Sequence, residues 1–172
     1  MTSWAGAALR SFVWAAIAAT GTAAAHDAAP RSLIPQAVSA PVMELQQVAA
    51  NVFFVQGVSA LGSPANRNFI SNAGFVITHD SVVVIDALGS PALAEELVQK
   101  IRTLTPKPIS HVLLTHYHAD HIYGLQVFEA LGAKIVAHAQ AREYINSETA
   151  HLRLEASRKD LAPWVDQGTR LV

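Results

Sequence analysis

From Val42 onward the chain alternates between two patterns. Short runs dense in β-branched and aromatic residues read as strands; longer stretches with apolar residues every three or four positions read as helices. "VMELQQVAANVFFVQG" predicts two short strands broken at Ala49-Ala50-Asn51. "SALGSPANRN" follows as a polar loop. Phe69 to Thr78 and Ser81 to Asp86 predict a hairpin turning at His79-Asp80. Val82 to Ile85 is apolar at every position, the pattern of a central strand covered on both faces. A helix is expected next, with Ser90 as cap, Pro91 in the first turn, Leu93, Leu97, Ile101 and Leu104 inward, and Pro106 as stop. "ISHVLLT" (109 to 115) predicts a strand, "GLQVFEALG" a short helix and "AKIVAH" another strand. From Ala139 to about Leu161 the pattern is helical and polar. Strands followed by alternating helices and strands make a mixed α/β layer with helices on at least one face.

The segment before Val42 has a different character. In residues 1 to 25 a lone Arg10 precedes the apolar run Phe12 to Ala19, and Ala23-Ala24-Ala25 follows. This is the layout of an export signal cleaved after Ala25, and the apolar run is short for a membrane span. The expected location is the periplasm or outside the cell, with no stable membrane insertion after cleavage. Residues 26 to 41, rich in Ala and Pro, read as a linker, and 42 to 172 as a single partial domain. The formal net charge is -1, which offers no electrostatic basis for a nucleic-acid partner. The chain has no cysteine, so disulfides, zinc-thiolate centres and cysteine nucleophiles are excluded, and any metal must be held by His, Asp or Glu.

"THYHADH", residues 115 to 121, supplies such donors. Imidazole and carboxylate are the ligands of catalytic zinc where thiolates are lacking. His116 and His118 are two apart, so on extended backbone they point the same way and can grip one ion. Asp120 and His121 fall where the chain turns into the next helix and can reach a second ion. One turn at a strand end can thus serve two neighbouring metals that activate a shared hydroxide. Asp86, at the end of the preceding strand, suits a supporting carboxylate that accepts hydrogen bonds from the ligand loop, or a cap on the turn before Ser90. His138, Tyr117 and Tyr123 are placed to line or cover the site. His79, His111 and His151 read as turn, strand and solvated helix residues. Trp164 and the helix before it read as a packing element or a lid.

The segment "THYHADH" resembles the H-x-H-x-D-H signature of the metallo-β-lactamase superfamily. "NAGFVITHDSVVVIDAL" resembles the hairpin before it, and "PKPISHVLLTHYHADHIYGLQVFEALGAKIVAH" the segment around it; the likeness runs from about Val42 to at least His138. The resemblance implies the N-terminal half of an αββα sandwich, a mixed sheet with helices on its outer face. It implies His116 and His118 on a first metal and Asp120 and His121 on a second, Asp120 orienting the nucleophilic hydroxide and Asp86 beneath. A histidine at 121 resembles the glyoxalase II, lactonase, ribonuclease and His-bearing lactamase branches, and departs from the lactamase branches that lack it. Secretion resembles uncharacterised or quinoprotein-relay-type members. The expected cofactor is Zn2+, two per complete site, with iron or manganese as alternatives. The expected activity is hydrolysis of an ester, amide, thioester or lactam in a small-molecule substrate. An iron-dependent redox enzyme and a non-catalytic metal-binding accessory protein are the other readings.

The family supplies a further His, a bridging Asp and a last His after the motif. No matching turn follows His121, and His138 and His151 come too early. The expectation is an N-terminal half whose remaining ligands lie beyond Val172 or on a second chain. By itself it would bind zinc weakly and turn over little.

Overall fold

A computed structural model describes residues 40–172. The expected export signal and most of the linker lie outside the described residues. Six strands form one sheet in chain order: β1 (Leu45–Ala49), β2 (Val52–Val55), β3 (Ala73–Ile77), β4 (Val82–Ile85), β5 (Ile109–Leu113) and β6 (Lys134–Val136). The first four are antiparallel to their neighbours, and β4, β5 and β6 run parallel. Asn51, with φ 64°, takes the left-handed backbone that the β1–β2 turn requires. Thr78 and Ser81 close the β3–β4 turn through main-chain and side-chain hydrogen bonds around His79-Asp80.

The crossover from β4 to β5 is α1 (Pro91–Leu104), with Ser90 Oγ accepting from Leu93 N at its start. Its buried face is Leu93, Ala94, Leu97 and Ile101. Leu104, expected inward, is instead exposed, because the helix ends there before the chain turns out through Thr105 and Pro106. After β5 come α2 (Ala119–Ile122) and α3 (Leu125–Ala130), and after β6 come α4 (Ala139–Ile145) and α5 (Glu148–Asp160). The single polar helix expected from Ala139 to Leu161 is thus two helices. Ser147 breaks it: its Oγ accepts from Ala150 N and donates to Tyr144 O, capping α5 while ending α4.

The core lies between the sheet and α1, α2 and α3. One register row, Phe53, Phe75, Val84 and Val112, crosses the helix-facing side, with the Phe53 and Phe75 rings stacked at 5.1 Å. Val82 and Val84 are fully buried, whereas Val83 and Ile85 on the other face are only partly so. The expectation of a doubly covered central strand therefore holds on one face. On the open face a second row runs Phe54, Gly74, Ile85 and Leu113, and ends at Val136. Leu113 and Val136 are exposed, and a shallow apolar cavity of about 370 Å3 lies over Phe54 and Ile85.

The C-terminal segment folds back on this body. Trp164 donates to Pro64 O at 2.9 Å and sits against Arg67, whose guanidinium carbon is 5.2 Å from the ring centroid. Trp164 is thereby a brace for the β2–β3 loop. Arg170 N donates to Gln126, and Leu171 and Val172 pack on the core. Among the described residues no helix is long and apolar enough to cross a membrane.

Candidate metal centre

The turn 115–121 leaves the end of β5 and enters α2, with His118 as the first residue outside that helix. The backbone of the turn and of the α2–α3 junction after it is held to neighbouring loops at three points. Ala87 N donates to His121 O at 2.9 Å, Gly124 N to Leu88 O at 3.3 Å, and Ser71 Oγ to Asp120 O. Gly124 is required here: a Cβ on it would stand 2.0 Å from Ala87 O and 2.6 Å from Ala94 Cβ. The same loop carries Asp86 and Leu88 in left-handed backbone, φ 61° and 65°, a sparsely populated region for such residues.

His116, His118, Asp120 and His121 come together in space. The His116 ring centroid is 4.6 Å from that of His118 and 4.1 Å from that of His121. His121 Nε2 faces Asp120 Oδ2 at 3.4 Å. His116 and His118 are exposed, Asp120 and His121 half-buried. The four form one cluster in which the His121 ring lies against that of His116, rather than two separated pairs.

Asp86, buried beneath, organises the cluster. Its Oδ1 accepts from Thr115 N at 2.9 Å, and its Oδ2 accepts from Thr115 Oγ1 at 2.7 Å and from His121 Nδ1 at 2.8 Å. Thr115 gives its one hydroxyl proton to Asp86, so at 2.9 Å its oxygen can only accept from His116 Nδ1. Both His116 and His121 therefore carry a proton on Nδ1, which leaves Nε2 as the atom each can offer a metal. A carboxylate behind an imidazole sets ligand tautomers in this way. The alternative role for Asp86, capping the turn at Ser90, is absent: Ser90 itself caps α1.

The charges follow. Burial alone would raise the Asp86 carboxyl, but hydrogen bonds from His121 and Thr115 outweigh it and hold the carboxyl below the usual aspartate value. Burial would lower His121, yet its hydrogen bond to Asp86 and the charges of Asp86 and Asp120 keep it above the usual imidazole value. His116 is pushed down by burial and by the neighbouring His121 and His118.

Three imidazoles and a carboxylate, two of them with Nε2 freed by a bonded Nδ1, fit a zinc-type donor set. Among the described residues, no three His, Asp or Glu side chains stand as placed so that they could hold one ion. The side chains pair with each other instead, as His121 does with Asp120. The fit lies in donor chemistry, fixed tautomers and common location.

Other candidates sit apart or at the rim. His79 lies exposed in its turn, and His151 is exposed on α5. His111 bonds Ser110 Oγ at 3.0 Å within β5. Tyr123 is buried, its hydroxyl 3.1 Å from Ser157 Oγ, and so joins α2 to α5 rather than touching the site. Tyr117 stands at the rim, its ring 5.5 Å from His118 and 4.3 Å from Tyr144 on α4. His138 ends the chain's path from β6 and caps α4, its Nδ1 accepting from Gln140 N. Sequence reasoning missed three contributors. Thr115 stands beside the motif and was open to notice; Ser71 and Tyr144 carry no signal in their local sequence.

A family model described as the metallo-beta-lactamase superfamily matches residues 66–170, more than half of the chain. The fold is similar to that of the inverting sec-alkylsulfatase Pisa1 from Pseudomonas sp., with TM-score 0.52 and 22% identity over 69% of this chain and 18% of that one. Two others are a metallo-beta-lactamase from Erythrobacter litoralis (TM-score 0.49, 20% identity, 59% of this chain and 43% of that) and the mono-zinc form of FIM-1 from Pseudomonas aeruginosa (TM-score 0.49, 16% identity, 61% and 46%). The chain spans less than half the length of each of these structures. It belongs to the metallo-beta-lactamase superfamily.

Proposed function

We propose that the chain carries part of the active centre of a metal-dependent hydrolase acting on an ester, amide, thioester or lactam bond. Zinc, two ions in the complete centre, is the proposed cofactor, and the substrate a small molecule. The observation that carries this reading is the gathering of His116, His118, Asp120 and His121 at one strand end over a buried Asp86. A carboxylate that fixes ring tautomers is the usual support of histidines that bind metal.

When bound, the metal acidifies water and polarises the scissile carbonyl. The chain's own residues do the rest. Asp86 holds His121 directly and His116 through Thr115, which fixes Nδ1 of both rings and leaves Nε2 as the atom each can offer a metal. Asp120, half-buried and outside that tautomer-fixing network, is placed to accept a hydrogen bond from the attacking water and orient it. Ser71 steadies the Asp120 main chain from across the β2–β3 loop. The centre sits at the carboxyl end of the parallel strand β5, where α/β sheets build their sites.

Further donors are proposed to come from outside this chain, either a continuation of it or a second polypeptide. The test is zinc uptake by the 172-residue chain and by His118→Ala, followed by hydrolysis assays on the protein as its host makes it. Weak uptake that His118→Ala abolishes, with hydrolysis in the host protein, supports the reading. Uptake indifferent to His118 sinks it, and iron in the native protein moves it to redox chemistry. Secretion of the protein is proposed with it, tested by sequencing the mature N-terminus.

A further inference from the structure

Helix α4 encloses space that the chemistry above leaves unused. Between it and strands β5 and β6 lies a partly open cavity of about 580 Å3, walled by Leu114, Ile122, Ile135 and Ile145. That volume falls in the range of small-molecule sites. A smaller cavity of about 210 Å3 adjoins it and reaches Thr115 and His116; Tyr117, His138 and Ala141 line both. Tyr117 is the wall where the two meet, its ring set edge-on to His118 and packed on Tyr144. The smaller cavity thus touches the cluster at His116, and across Tyr117 the larger one forms an apolar chamber.

Arg142 lines the larger cavity and not the smaller one that reaches His116. Its guanidinium is exposed and makes no ion pair with another described residue. His138, the cap of α4, lines both cavities. Because His138 Nδ1 accepts from Gln140 N, its neutral ring carries the proton on Nε2 and is a further donor. A cation in the wall of a chamber lined by Leu114, Ile122, Ile135 and Ile145 fits an anion carried on a hydrocarbon. Arg in particular matches a carboxylate.

Resting on the hydrolase reading for where the scissile bond lies, we propose that the substrate bears an alkyl or aryl group ending in a carboxylate. The hydrocarbon fills the chamber beneath α4, and the carboxylate meets Arg142.

The test uses metal-free 172-residue chain and two probes of equal length, octanoate and octanol, with binding followed by calorimetry. Octanoate is expected to bind about fivefold tighter than octanol, the scale of a partly exposed ion pair. Arg142→Gln should reduce octanoate to the affinity of octanol, Arg142→Lys should keep part of the preference, and Ala141→Phe should abolish binding of both by filling the chamber. An octanoate preference that survives Arg142→Gln, or binding that survives Ala141→Phe, overturns the proposal. Zinc titration of the wild-type chain and of His118→Ala separates the two readings. Zinc uptake that His118→Ala abolishes, without the octanoate preference, sinks the chamber alone, and the preference with zinc uptake indifferent to His118→Ala sinks the hydrolase alone.

Discussion

Asp86 carries more of this site than its distance from the motif suggests. Its backbone is left-handed, as is that of Leu88, and such conformations cost on the order of 1–3 kcal/mol each unless the surroundings impose them. The surroundings do so: Asp86 N donates to Leu113 O, Ala87 N to His121 O, and Leu88 is fully buried. The strained turn aims one carboxylate at His121 and at Thr115, which in turn meets His116. Asp86→Ala should lower zinc affinity about 10–100-fold, the usual cost of losing a partner behind a ligand histidine. Asp86→Asn keeps the shape but offers an amide N–H where Oδ2 accepts two hydrogen bonds, so it too should lose at least about tenfold. Competition with a chromogenic chelator measures both; wild-type affinity in the Asn variant would refute the tautomer argument. Gly124 is the other sensitive position. Gly124→Ala must push the α2–α3 junction off Ala87, costing roughly 1–3 kcal/mol or more by overpacking, read from the shift of the urea midpoint.

Among the elements, α1 has the plainest signals and the plainest energetics. Ser90 is wholly buried and its hydroxyl caps Leu93 N, so Ser90→Ala should destabilise the chain by about 1 kcal/mol with zinc affinity little changed. Thermal unfolding with a parallel zinc titration checks both halves of that statement. The start of α1 was legible in sequence because cap, Pro91 and apolar spacing agree, and β3 and β4 because a two-residue turn separates β-branched runs. The break between α4 and α5 was not, since the polar helical pattern runs through Asn146 and Ser147 without interruption. Leu104 misled because periodicity says nothing about where a neighbouring surface ends. At the site, the four donors and Asp86 were visible as a motif and a strand-end carboxylate. The Ser71 hydroxyl that reaches Asp120 O across 49 residues was not, because only tertiary folding creates the contact. The chamber beneath α4 was invisible for the same reason: Arg142 reads as one more charge on a polar helix.

Among the described residues, the dominant feature at the largest scale is a sheet covered on one side. Phe54, Ile85, Leu113 and Val136 line the other face, and exposed apolar patches of this kind associate. The chain at tens of micromolar (a working range for solution measurements) should therefore self-associate. Leu113→Glu combined with Val136→Lys should shift it toward monomer in sedimentation velocity. A wild-type chain that stays monomeric throughout would refute this.

The order of the strands also sets a timetable. Every strand pairs with the one made immediately before it, so no pairing waits for a distant segment. Loops that close over short separations form early and cheaply, and topologies built from them assemble quickly. As the chain emerges from a ribosome, the antiparallel meander can form first, and β5 then docks on β4. That docking brings Thr115 to Asp86, 29 residues back, and sets the histidines in place. Helix α4 arrives afterwards and closes the chamber over a turn whose chemistry is already arranged.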